Sequence, residues 1–101
     1  MICFKEELEY INSEEFKLGE YLYMGMGTAT SDNTQKVCLS VGYKIDYAFR
    51  KAIQFEQLNS DVVFRCINKV KVGELVKSKE FIVTEELKQN CKANCKVNCN
   101  D

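Results

Sequence analysis

The sequence predicts a small α+β domain, and three observations carry that prediction. Apolar residues recur at helical spacing between Leu58 and Val70, a β-hairpin pattern follows over residues 70–84, and a second helical stretch precedes both at about 44–57. The unit from Gln57 to Leu87 organises the rest of the chain.

Within that unit Leu58, Val63, Cys66, Ile67 and Val70 are apolar, and 63, 67 and 70 recur at i, i+4, i+7, the spacing of one buried helical stripe. Asn59 or Ser60 is suited to cap the helix start, since either side chain accepts a bond from an unpaired first-turn amide. Rotation by about 100° per residue places Asp61, Arg65, Asn68 and Lys69 on the opposite face, with Lys71 at its flank. After the helix, Val70 to Val76 passes into Lys77-Ser78-Lys79, and Glu80 to Thr84 returns with the β-branched and aromatic content of a strand. A helix presented by a tight turn and followed by a hairpin with a basic tip makes a winged helix-turn-helix. The expected DNA-binding set is Asn59, Ser60, Arg65, Asn68, Lys69, Lys71, Lys77, Ser78 and Lys79. Arg65 and Asn68 would reach base edges, while Lys69, Lys71, Lys77 and Lys79 would hold phosphates.

The run from Val63 to Val70, then Glu74-Leu75-Val76 and Phe81 to Glu86, resembles the recognition helix and wing of winged-helix regulators. Within that superfamily, Gln57-Leu58-Asn59, Val63-Phe64, Ile67-Asn68 and Gly73 are similar to the TubR centromere-binding proteins of tubulin-type plasmid and phage partition. The resemblance covers about a third of the chain. It implies a homodimer that coats a repeated double-stranded DNA site and meets a filament-forming, tubulin-like GTPase, with the acidic amino-terminal segment as the surface for that partner.

Length and composition agree with one domain spanning 1–101, its core at about 14–87 and a cysteine-bearing helix or tail over 88–101. No apolar run approaches the roughly 20 residues that span a bilayer, and the amino terminus lacks a signal peptide's order, so a cytoplasmic protein with no membrane partner is expected. The net charge of −1 conceals segregation: residues 1–34 sum to −5, residues 35–78 to +4 and residues 79–101 to zero. The positive segment is the proposed DNA reader.

Taken in order, Phe4, Leu8 and Ile11 fit one face of a helix over 3–12, and Ser13 suits the cap of a further turn from Glu14. Residues 21–27 fit either a strand, by alternation of Leu22, Met24 and Met26, or a first core helix, which Gly25 and Gly27 oppose. Ser31-Asp32-Asn33 marks a loop. Lys36 to Val41 alternates as a half-buried strand, and Ile45, Phe49, Ala52 and Ile53 give the helix at about 44–57. The same strand and helix, with a second helix opening at Asn59-Ser60-Asp61, also satisfy a ribbon-helix-helix dimer, which leaves residues 70–87 without a role.

Six cysteines and no histidine are present. Cys38 and Cys66 lie in expected regular elements and read as small buried hydrophobes. Cys91, Cys95 and Cys99 at i, i+4, i+8 form one helical column. That column reads as a contact face or frayed terminus, as a soft-metal or redox sensor attached to a winged-helix repressor, or as the core of a precursor peptide for cysteine-modifying enzymes. No resident cofactor is expected. The chain offers no nucleophile–base pairing and no glycine-rich phosphate loop, so an enzyme is not expected.

Overall fold

The computed structural model describes residues 4–74 and 76–89. Its elements run α1 (Lys5–Ile11), β1 (Tyr21–Ala29), β2 (Lys36–Gly42), α2 (Ile45–Leu58), β3 (Val62–Lys71) and β4 (Val76–Ile82), followed by a helical turn over residues 85–89. The strands form one antiparallel sheet in the order β2-β1-β3-β4. Two hairpins, β1–β2 and β3–β4, therefore flank α2 in the chain and join through β1 and β3. The α+β class holds, and so do the helices expected at 3–12 and 44–57, the strand at 36–41 and the loop at Ser31-Asp32-Asn33, which spans 30–35 because Thr28 and Ala29 still belong to β1. No helix among the described residues is long and apolar enough to cross a membrane.

The central correction concerns residues 60–71. The expected recognition helix is strand β3, so the winged helix-turn-helix lacks its reading helix, and the ribbon-helix-helix alternative lacks its second helix. The composition favours a strand, because Val62, Val63, Ile67 and Val70 are β-branched and stiff at χ1. What disguised it is a bulge. In the pairing with β1, Phe64 lies opposite Gly27 and Cys66 opposite Met26, which leaves Arg65 as the extra residue. The buried positions are thus Val62, Phe64 and Ile67, and a spacing of two then three imitates a helical stripe.

β1 resolves as a strand, since its alternation is complete: Tyr23, Gly25 and Gly27 are buried while Leu22, Met24, Met26 and Thr28 turn to the other face. Gly25 is a close-approach site. A Cβ there would meet the Ser40 hydroxyl and lie 2.8 Å from the Ala52 methyl. α2 can come this near because its inward stripe, Ile45, Ala48, Phe49, Ala52 and Ile53, carries small residues where it crosses the sheet. Phe49 fills the remaining space against Phe64 at 5.7 Å and Phe4 at 5.1 Å between ring centroids.

The ends of the elements differ from expectation in detail. Asn59 closes α2 instead of opening a helix: its backbone N–H and its side-chain amide both donate to the Phe55 carbonyl. Ser13 donates to the Tyr10 carbonyl, and no second helical turn follows it. The β3–β4 turn lies around Gly73, so Lys77, Ser78 and Lys79 belong to β4 and not to a hairpin tip.

The close α2–β1 approach gives the first prediction. Gly25→Ala should lower the unfolding free energy by about 1–3 kcal/mol, the usual cost of overpacking, whereas Ser31→Ala in the exposed loop should change it by less than about 0.5 kcal/mol. Urea unfolding of both variants checks this.

Candidate functional site

The described helical elements lie on one face of the sheet, and the polar groups that hold them there include one residue expected to touch DNA, Lys69. Its Nζ lies 2.8 Å from Glu7 Oε2, with most of both side chains buried. It also sits 4.5 Å from the ring centroids of Tyr10 and Tyr21 and 5.8 Å from that of Tyr23. The Tyr23 hydroxyl donates to the same carboxylate oxygen. Burial first, and then the bond to Glu7, drives the Tyr23 phenol far above its ordinary range. Lys69 is therefore a clamp between α1 and β3, with three aromatic faces supplying cation–π attraction.

A second clamp holds the helical turn over residues 85–89. Lys88 is 1% exposed, and its Nζ lies 2.6 Å from Glu56 Oε2 and 3.3 Å from Glu85 Oε1. The same Glu56 oxygen accepts the Phe64 amide at 2.8 Å, an arrangement that satisfies the buried ions. The first lysine cluster joins positions 7, 10, 21, 23 and 69, and the second joins 56, 64, 85 and 88. Sequence reasoning missed both, because such partners show no local spacing.

The remaining expected DNA contacts divide between the two faces. Lys79 lies opposite Lys69 in the register and reaches over the Phe81 ring at 4.9 Å, on the covered side. Lys71 ends β3, 3.7 Å from Glu74. Asn59 and Ser60 sit at the α2–β3 connection. Arg65, Asn68 and Lys77 share the opposite face, which nothing among the described residues covers. There Arg65 Nε donates to Thr28 Oγ1 at 3.2 Å and its terminal nitrogen to Asn33 Oδ1 at 3.4 Å. Thus the structure brings together three of the nine residues, Arg65, Asn68 and Lys77, with Lys36 added by the register.

The uncovered face is chiefly apolar. Across β2, β1, β3 and β4 one row reads Cys38, Met26, Cys66 and Ile82, and the next reads Val41, Met24, Asn68 and Glu80. Leu22 and Val70 follow as a pair. Ile82 is 64% exposed and Val41 48%. Neither a family model, nor a curated protein, nor a solved structure matches this chain. The chemistry of the surface therefore carries the functional argument alone.

Two thiols belong to that surface. Cys38 is exposed, contrary to the expected buried position, because it points away from α2. Cys66 is half-buried, and burial followed by the neighbouring Glu80 pushes its thiol up to about 11, which leaves it protonated and unreactive at neutral pH. Among the described residues no three Cys, Asp or Glu side chains converge as a metal site. The alternative ligands Cys91, Cys95 and Cys99 lie outside the described residues.

The Lys69 cluster separates a structural role from a DNA contact. Glu7→Gln and Lys69→Met should each cost about 3 kcal/mol of stability, as removal of one partner of a buried pair does. The double variant should lose clearly less than the sum. Chemical denaturation of the three proteins tests this, and additive losses would show that the two side chains do not act together.

Proposed function

We propose that the protein is a binding module that acts as a homodimer, with the uncovered sheet face as its contact. The observation that supports this is the apolar band Leu22, Met24, Met26, Val70 and Ile82, left open among the described residues on a sheet whose other face carries the core. Soluble domains seldom expose so continuous a patch without a partner. Methionines at its centre supply adaptable contact area.

A second copy is the occupant that the rim favours. It carries both signs, Lys36, Arg65 and Lys77 against Glu80, so a two-fold pairing that sets each Glu80 against a cation of the other copy offsets part of the like charge. Strands of seven to ten residues, about 4.8 Å apart, give a face on the order of 500 Å² in projection. That is in keeping with one side of an ordinary dimer interface, about 800 Å² of accessible surface. Sedimentation equilibrium should find a dimer at micromolar concentration, and Met24→Glu should convert it to a monomer with an unchanged circular dichroism spectrum. A wild-type monomer at about 100 µM, or a dimer that survives Met24→Glu, would sink the reading; the interface size sets the concentration range.

Duplex DNA is a second reading, favoured by one observation: Arg65, Asn68, Lys77 and Lys36 share the same face. It rests on sheet residues in place of a recognition helix, as β-ribbon readers do. Any partition adaptor or repressor role, including an encounter with a filament-forming GTPase, would depend on that binding. Fluorescence anisotropy with duplex from beside the gene should then show affinity falling steeply between 50 and 200 mM salt. Arg65→Ala should cost about 1–3 kcal/mol on the specific site only, and Lys77→Ala should weaken all duplexes alike. Equal losses for both variants on random DNA would remove the base-reading role of Arg65.

A further inference from the structure

We infer that the outer edge of β2, together with the exposed stripe of α2 beside it, is a docking site for an extended acidic segment of another protein, which adds a strand to the sheet. This surface adjoins the uncovered face, with which it shares Val41 and Leu22, and it extends the function beyond dimerisation.

The two edges of the sheet are guarded differently. Both edge strands are bulged, β4 at Ser78 and β2 at Leu39, so charge is what separates them. β4, at one edge, exposes Lys77, Lys79 and Glu80, and charge is a usual means by which an edge strand refuses a further strand. β2, at the other edge, runs Val37 to Gly42 without a charge and has only Lys36 at its start. Among the described residues, it pairs with β1 alone.

α2 makes that edge a shelf. Tyr47, Lys51, Phe55 and Leu58 recur at i, i+4, i+8, i+11, a helical stripe turned away from the core, and Leu58 is 84% exposed. Two grooves follow the edge. One, of about 350 Å³, lies between Ser40 and Val41 on the strand and Lys51, Phe55 and Leu58 on the helix. The other, of about 460 Å³, lies among Leu18, Val41, Tyr43 and Lys44. They meet at Tyr47, whose ring lies so close to the Gly42 backbone that a Cβ on Gly42 would come within 2.6 Å of it. A strand laid along β2 would alternate its side chains between these grooves and solvent, the geometry of recognition by β-augmentation.

Charge selects the occupant. Among the described residues, the only charged side chains lining the grooves are Lys51 in one and Lys44 in the other, in a chain whose net charge is −1. A second copy of β2 is disfavoured, because residues 36–44 contain two lysines and no acid, and edge-to-edge pairing would bring like charges together. The chain's own residues 90–101 carry two lysines against one aspartate, again the wrong sign. An acidic strand with alternating Val, Ile or Phe fits both the lysines and the apolar stripe.

The test uses the full chain and two fluorescent peptides of about eight residues, the length of a typical strand: one alternates Glu with Val, Ile and Phe, and the other has Lys for Glu. The acidic peptide should bind at micromolar concentration and the basic one at least ten-fold more weakly. Lys51→Glu should weaken the acidic peptide at least ten-fold and Phe55→Ala at least three-fold, while both variants keep the wild-type circular dichroism spectrum. A proline at the centre of the acidic peptide, which removes a ladder donor, should abolish binding. Equal binding of the two peptides, or full binding by Lys51→Glu, overturns the proposal. So does a change of oligomeric state in Lys51→Glu, which would make a second copy the occupant. Absence of peptide binding together with nuclear Overhauser contacts from residues 90–101 to Phe55 would make the chain's own tail the occupant, and overturns it as well.

Discussion

The structure depends on the pairing of β1 with β3. Each belongs to a separate hairpin, and only their nine-residue register makes one sheet of the two, with α2 as the connection. The bulge at Arg65 sets what that sheet presents. Before it, Val62 and Phe64 face α2; after it, Ile67 and Lys69 do, so the strand keeps its apolar side inward while the ladder bends. If Arg65 were instead paired as a regular strand residue, the later half would be reversed, with Ile67 turned to solvent and Asn68 into the core.

That placement also explains why Lys69 is buried. A lysine forced to the covered side of a sheet costs several kcal/mol in lost hydration unless it is paired. Here Glu7 supplies the countercharge from α1, and Tyr10, Tyr21 and Tyr23 supply polarisable faces. Lys88 repeats the arrangement with Glu56 and Glu85 at the other end of the described chain. Both clamps use an ion pair to hold a short terminal element that has too little apolar surface to hold itself. Such pairs contribute specificity of docking more than net stability, since a well-packed apolar replacement could stabilise as much.

Legibility in the sequence followed the range of the signal. α2 was readable because five inward residues repeat at helical spacing without interruption, and β2 because alternation over residues 36–39 suffices, although a bulge at Leu39 turns Val41 to the face away from α2. β1 was readable only in part, since glycines that weaken a helix also reduce strand propensity, and their reason lies in Ala52 on another element. β3 was misread because its bulge converts a period of two into an apparent helical spacing, and no residue announces a bulge of this kind. The expected basic face failed for the same reason, as its lysines were assigned by helical rotation. Arg65 and Asn68 stayed on one surface only because that surface is the same side of the strand.

One asymmetry in the architecture links the two surfaces argued above. The described helical elements all pack on one face, but not evenly: α1 reaches toward β4 through Phe4 and Phe81, which lie 5.8 Å apart, whereas α2 packs mainly on β2 and leaves Phe55 and Leu58 open beside that strand. The helix layer leaves a groove there and, among the described residues, nothing on the opposite face. At the β4 edge, charge takes over the task of refusing a neighbour. An added strand at β2 would gain both backbone bonds and a helix to pack against, an advantage that no other boundary of this sheet offers.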